Sequence, residues 1–254
     1  MILDDWVMLG KTVPEPQSDG RTFVCTAGYS LELRRPIRIY PMALRDCPAR
    51  WSLCRTPLER NTRDSRWESW KLRGDRSPGR HDLINRVIEL LPGKVDDKTR
   101  REIIQSMEVS SLKVANEQRL SLCVLKPTGV PHIVMEKGDQ VEMAPTPDLF
   151  PHPLDRPVKE RFPWHPRIKF VDQDGHKHDL MLRDWGCYEL MRKRPDCNPF
   201  LMSEALGMIT APPLFCGNFN RHRNAWLVIS VFSGTLMARP EVAERQLSLL
   251  DAER

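Results

Sequence analysis

Apolar and polar residues alternate through much of the first third of the chain. Arg21-Thr-Phe-Val-Cys-Thr26 is rich in β-formers and ends at Ala27-Gly28, and Pro36-Ile-Arg-Ile-Tyr-Pro41 interleaves apolar and basic side chains. Residues 50–55 and 65–72 alternate again. A period of two predicts strands with one buried and one wet face. Several short strands in succession predict an antiparallel sheet or a small barrel. Near residue 77 the period lengthens. Leu83, Ile84, Val87, Ile88 and Leu91 predict a helix over 82–91, stopped by Pro92-Gly93. A second helix is predicted over 97–107, capped by Asp96 or Asp97, with Ile103, Ile104 and Met107 inward.

Residues 120–126 predict a strand. Residues 127–166 then hold nine of the 22 prolines, a density that predicts an extended Pro-rich arm instead of a helix or central strand. Beyond it, Asp174-Gly175 predicts a tight hairpin turn between strands at 168–171 and 178–182. Asp184 caps a short helix, and Asn198-Pro199 opens another that ends at Gly207. Residues 214–217 and 225–232 predict two strands, the second continuously apolar and therefore central, and 240–250 a last helix. The sum is an α+β chain: mainly antiparallel sheet or small barrel, with a central helical insertion and a Pro-rich arm. The segments are 1–76 (basic, β-rich), 77–119 (helical), 120–166 (strand and arm) and 167–254 (completing the sheet), expected to form one composite domain.

Charge changes the picture because of where it lies. The net charge is +5, but residues 21–80 carry fourteen Lys and Arg against six Asp and Glu, so the remainder is −3. A localised cationic excess suits a polyanion, since each neutralised phosphate releases condensed counterions. Arginines outnumber lysines 28 to 11, which favours forked contacts to phosphate but also follows from a GC-rich coding sequence. The seven cysteines show no CxxC spacing, which predicts free thiols in a reducing cytoplasm and neither a disulfide framework nor a structural zinc site. No apolar run reaches membrane-spanning length, and the acidic residues near the N-terminus do not fit a secretory leader.

Five constellations carry candidate chemistry. In the basic segment, Arg34, Arg35, Arg38, Arg50, Arg55, Arg63, Arg66, Lys71 and Arg73 interleave with Tyr40, Trp51, Trp67 and Trp70. Sheets that bind nucleic acid combine cations for phosphate with flat rings for bases. Alternation puts Trp67 and Trp70 on opposite faces, so one is expected in the core and the other available; the competing reading puts both in the core. Lys98, Arg100 and Arg101 open the second helix, as in a helix-turn-helix, against the commoner reading of a solvated face. Asp64, Glu68 and Lys71 form a candidate metal-dependent nuclease set, although their spacing puts Lys71 on the other face. His176 and His178 could hold a metal, against a polar hairpin tip with an Asp172–Lys177 pair. Arg221 and Arg223 flank His222 in a loop suited to phosphate.

The leading expectation is a nucleic-acid-binding subunit of a DNA- or RNA-processing assembly. Its contacts come from Arg34, Arg35, Arg38, Arg63 and Arg66, with Trp67 or Trp70 stacking and Lys98, Arg100, Arg101, Arg221 and Arg223 extending the footprint. No cofactor is predicted except Mg or Mn under the nuclease alternative. A further alternative is a protein-interaction subunit that binds an acidic partner, with the Pro-rich arm as docking segment. No membrane partner is expected.

Overall fold

The structure, a computed structural model, describes residues 2–16, 22–73, 88–93, 95–142, 161–208 and 210–232. The strands and helices in chain order begin with β1 (Ile2–Lys11), β2 (Glu15–Pro16), β3 (Thr22–Ser30), β4 (Arg35–Met42), β5 (Leu53–Arg60), β6 (Ser69–Leu72) and β7 (Glu89–Leu90). They continue with α1 (Asp97–Ser106), β8 (Glu108–Val109), α2 (Leu112–Glu117), β9 (Leu122–Leu125), β10 (His132–Glu142) and β11 (Arg161–Val171). The last are β12 (Lys177–Leu182), α3 (Trp185–Lys193), α4 (Pro199–Ala205), β13 (Leu214–Asn218) and β14 (Trp226–Val231). The class is α+β and mostly sheet.

The first set of strands closes on itself. Its order is β1-β3-β4-β6-β5, and β5 returns to β1 to complete a five-stranded barrel. All pairings are antiparallel except β4–β6. Closure removes exposed edges. The later strands therefore do not complete the first sheet; they form a second one, in the order β10-β11-β12-β14-β13-β9-β8. Its β12–β14 and β8–β9 pairs are parallel, so the second set is mixed where simple antiparallel pairing is predicted.

Three layers result. Trp6, Met8, Val24, Ile37, Ile39, Met42, Leu58 and Trp70 fill the barrel. Gly28 makes room for Trp6: a Cβ there would sit 2.5 Å from the Val7 carbonyl oxygen and 2.7 Å from the indole. Val7, Leu9, Ala27 and Tyr29 on the barrel's outer wall pack with Ile103 and Ile104 of α1 and with Val124, Phe215 and Ile229 of the second sheet. The other face of that sheet, including Cys123, Cys216 and Val228, lies beneath α2, α3 and α4. Strands β1 and β14 are thus buried on both faces, which is why Trp6–Leu9 and Leu227–Val231 are nearly unbroken apolar runs.

Several sequence expectations change. Residues 82–87 of the first predicted helix, 143–160 of the predicted arm and the predicted C-terminal helix lie outside the described residues. Residues 89–90 pair with β5 as a strand. The flanks of the arm, β10 and β11, form a long antiparallel pair, and Pro163 and Pro166 lie in the part of β11 that runs beside β10 alone, ahead of the 167–171 stretch that also pairs with β12. All seven cysteines are free. No helix among the described residues is long and apolar enough to cross a membrane.

Candidate nucleic-acid interface

The strand β6 is shorter than the alternation over 65–72 suggests. Residues 61–68 form a loop before it, and that loop is held from within. Asp64 accepts from Arg66 Nε at 2.9 Å, Arg66 Nη2 at 2.5 Å, the Arg66 amide at 3.0 Å and Ser69 Oγ at 2.5 Å. Arg66 Nη1 crosses to the second sheet and donates to the Asn218 carbonyl at 2.6 Å. Burial pushes the Asp64 carboxyl up, but the bonds from Arg66 and Ser69 outweigh it, and the net shift is downward.

The outer face of β3 and β4 is covered by the second sheet. Arg38 is only 4% exposed; its Nη2 donates to the Ser121 carbonyl at 2.9 Å and its Nη1 to Cys25 Sγ at 3.0 Å. Glu68, fully buried, accepts from the Ser121 amide at 2.9 Å. Arg38, Arg66 and Glu68 therefore fasten the barrel to the sheet, and Trp70 fills the barrel at 5% exposure. All four are buried. Within this joint Arg38 Nε, Glu68 Oε2, Ser121 Oγ and Asn218 Oδ1 are buried without a protein partner.

The nuclease set does not converge. Asp64 and Glu68 are each taken by protein donors, and Lys71 pairs with Glu59 at 2.7 Å on the outside. No group of three or more His, Cys, Asp or Glu side chains suited to a metal occurs among the described residues. At the hairpin tip the loop is longer than two residues, with β11 ending at Val171 opposite Lys177. Asp172 consequently faces the histidines and not Lys177. Its buried carboxylate accepts from the Asp174 and His176 amides and lies 2.7 Å from His178 Nε2. Burial raises its pKa, but His178 and the His176 amide bring it below the ordinary value. This is the hairpin's internal brace.

On α1, Asp96 is the N-cap, accepting from the Thr99 amide. Arg100 pairs with Asp97 and lies over Trp51 at 5.4 Å, and Lys98 pairs with Glu102. Arg101 is half-buried. No described contact joins these cations to the rest of the predicted footprint. Arg50 and Arg55 are paired with Asp184 and Glu89.

Three loops do come together at one end of the barrel. The β3–β4 turn carries Arg34, a non-glycine residue in the left-handed region at φ 48°. Arg35 lies over the Trp67 ring at 5.3 Å. Trp67 keeps 36% of its surface exposed. Ser65 Oγ bonds Asn220 Oδ1 at 3.4 Å, which with Arg66–Asn218 ties the 61–68 loop to the loop carrying Arg221 and Arg223. Arg34, Arg35, Arg63, Arg221 and Arg223 have no ion-pair partner among the described residues. Arg60, overlooked in the sequence, donates to the carbonyls of Trp67 and Arg66. Exposed acids at this end are Glu32 and Asp5, the latter bonded through its carbonyl to the Leu31 amide. An open hollow of about 550 Å³ is lined by Arg221–Ala225 and meets, at Asn224, a groove of about 450 Å³ that reaches His176, His178 and Lys113.

Residues 4–106 match a family model described as a domain of unknown function (DUF8758). The match takes in the barrel and α1 and stops before the second sheet. No curated protein matches the chain, and no solved structure does.

Proposed function

We propose that the protein binds nucleic acid through this three-loop rim, as a non-catalytic part of a nucleic-acid-processing assembly. The observation that carries the reading is the convergence of Arg34, Arg35, Arg63, Arg221 and Arg223, all without ion-pair partners among the described residues, beside one exposed aromatic ring. Arg34, Arg63 and Arg221 are exposed and Arg35 and Arg223 half-buried; guanidiniums present planar forked donors that match phosphate oxygens. Loops joined to one another and braced by a buried Asp64–Arg66 pair hold those donors without a large ordering cost on binding. The footprint is therefore smaller than the sequence suggests: it excludes Arg38, Arg66 and Trp70, which are structural.

Arg34 adds an independent argument. A left-handed φ favours glycine, yet an arginine occupies it. Unfavourable backbone at an exposed turn is commonly tied to what the side chain does.

The test is a mobility-shift assay with single- and double-stranded DNA and RNA at low and high salt. It compares the wild type with a chain carrying Arg63→Ser, Arg221→Ser and Arg223→Ser. Binding that weakens with salt and is lost in the triple variant is expected. Absence of binding at low salt, or binding indifferent to the three substitutions, overturns the proposal.

A further inference from the structure

We infer that the nucleic acid taken by the rim is single-stranded, with an unpaired base stacked on Trp67; this rests on the preceding reading of the rim as a phosphate-binding surface. Trp67 stands apart from the other large apolar side chains that face solvent. Leu90, Val130, Trp164 and Phe200 belong to β7, the segment before β10, β11 and α4. Around Trp67 lie guanidiniums: Arg35 over its ring, Arg60 on its carbonyl, and Arg63 in the same loop. A lone indole set among cations offers an apolar protein partner no patch to bury. It suits a ligand that is flat, π-bonded and anionic at once, which describes a nucleotide in a strand.

Duplexes fit this surface poorly. Paired bases keep their faces stacked inside, so an exposed ring gains nothing from them. Reading a duplex groove takes a helix or a projecting β-ribbon. The rim has neither: its β3–β4 turn is tied back to β1 by the Leu31–Asp5 bond, and the cations of α1 are not part of it. Arg60 donating to the Trp67 and Arg66 carbonyls, and Asp64 gripping Arg66, hold the loop under the ring before any ligand arrives. From Trp67 a strand passes over the Ser65–Asn220 junction into the hollow lined by Arg221, His222 and Arg223.

The experiment measures fluorescence anisotropy of labelled oligothymidylate and of a hairpin duplex with the same number of phosphates, at low salt. The chains are wild type, Trp67→Ala and Trp67→Phe, each checked for an unchanged thermal melt. The single strand is expected to bind the wild type about tenfold more tightly than the duplex. Trp67→Ala removes that margin and leaves duplex affinity unchanged, Trp67→Phe retains most of it, and oligothymidylate quenches intrinsic fluorescence only when Trp67 is present. Equal affinities for both probes, or an equal loss of both in Trp67→Ala, overturns the single-strand inference while the phosphate-binding reading stands. Failure of both probes to bind the wild type overturns the reading beneath it.

Discussion

Replacing Asp64 with asparagine should unfasten the loop that presents Arg63 and Trp67. The carboxylate and guanidinium are 7% and 8% exposed, and the native pair is joined at 2.5 Å. The substituted amide would keep one acceptor oxygen and leave a cation buried without its counter-charge. Breaking a buried pair from one side typically costs about 3–5 kcal/mol. For a chain of this size that corresponds to a melting temperature lower by roughly 6–20 °C. The assay is urea unfolding of the wild type and Asp64→Asn at a series of pH values. Because the folded-state Asp64 pKa lies below its ordinary value of 3.8, the wild-type contribution is fully present above that value. It is lost as pH falls through the depressed folded-state pKa, so the gap between wild type and variant should close in strong acid. Pairing Asp64→Leu with Arg66→Met should recover part of the loss, since hydrophobic replacement of both partners spares the uncompensated charge. Recovery stays partial because the Asn218 carbonyl and Ser69 hydroxyl lose their partners. A loss below about 1 kcal/mol, the scale of an exposed pair, or a gap that does not change with pH, refutes the reasoning.

Gly28→Ala should destabilise by about 3 kcal/mol or more by denaturant unfolding, at the top of the overpacking range, because the new Cβ meets the Val7 carbonyl as well as the Trp6 ring. Shrinking Trp6 at the same time should therefore fail to rescue it. Arg34→Gly should leave stability unchanged or raise it by up to about 1 kcal/mol, while weakening oligonucleotide binding; a melt and an anisotropy titration read the two effects separately. Asp172→Ala should cost about 1–3 kcal/mol and speed amide exchange at Asp174 and His176, whose amides both donate to one oxygen of the native carboxylate; unchanged exchange there would show that the brace is idle. A high-resolution crystal structure should place ordered water against Glu68 Oε2 and Ser121 Oγ, since buried polar atoms without protein partners are satisfied in that way.

Local chemistry was readable in the sequence where the signal is itself local. Asp96, Asp184 and Asn198 cap their helices, and Pro199 takes the first helical turn, because capping depends on a few adjacent residues. Trp67 and Trp70 do differ in exposure, but not through strand alternation: Trp67 stands in the 61–68 loop, and Glu68, Ser69 and Trp70 are buried in succession. Long-range pairing was not readable. Nothing in residues 53–60 announces that they return to β1, and that return makes a barrel of what otherwise reads as part of one sheet. The strand β1 escaped because its two buried faces abolish alternation. The site shrank for the same reason. Arg38 and Arg66 look like any other arginines of a basic segment until Ser121 and Asn218, far along the chain, arrive to accept from them. The charge count singled out the segment that carries the barrel; only the fold divides its cations into those that hold the molecule together and those without an ion-pair partner among the described residues.

The claim that a joined set of unpaired arginines meets phosphate is tested most directly by the salt dependence of oligothymidylate affinity between about 50 and 200 mM. Five phosphate contacts predict a log–log slope of about −3 to −4, and the Arg63→Ser, Arg221→Ser, Arg223→Ser chain should lose about 2 of it, at roughly 0.7 per phosphate on a single strand. A slope near zero, or one that survives the three substitutions intact, would contradict the account.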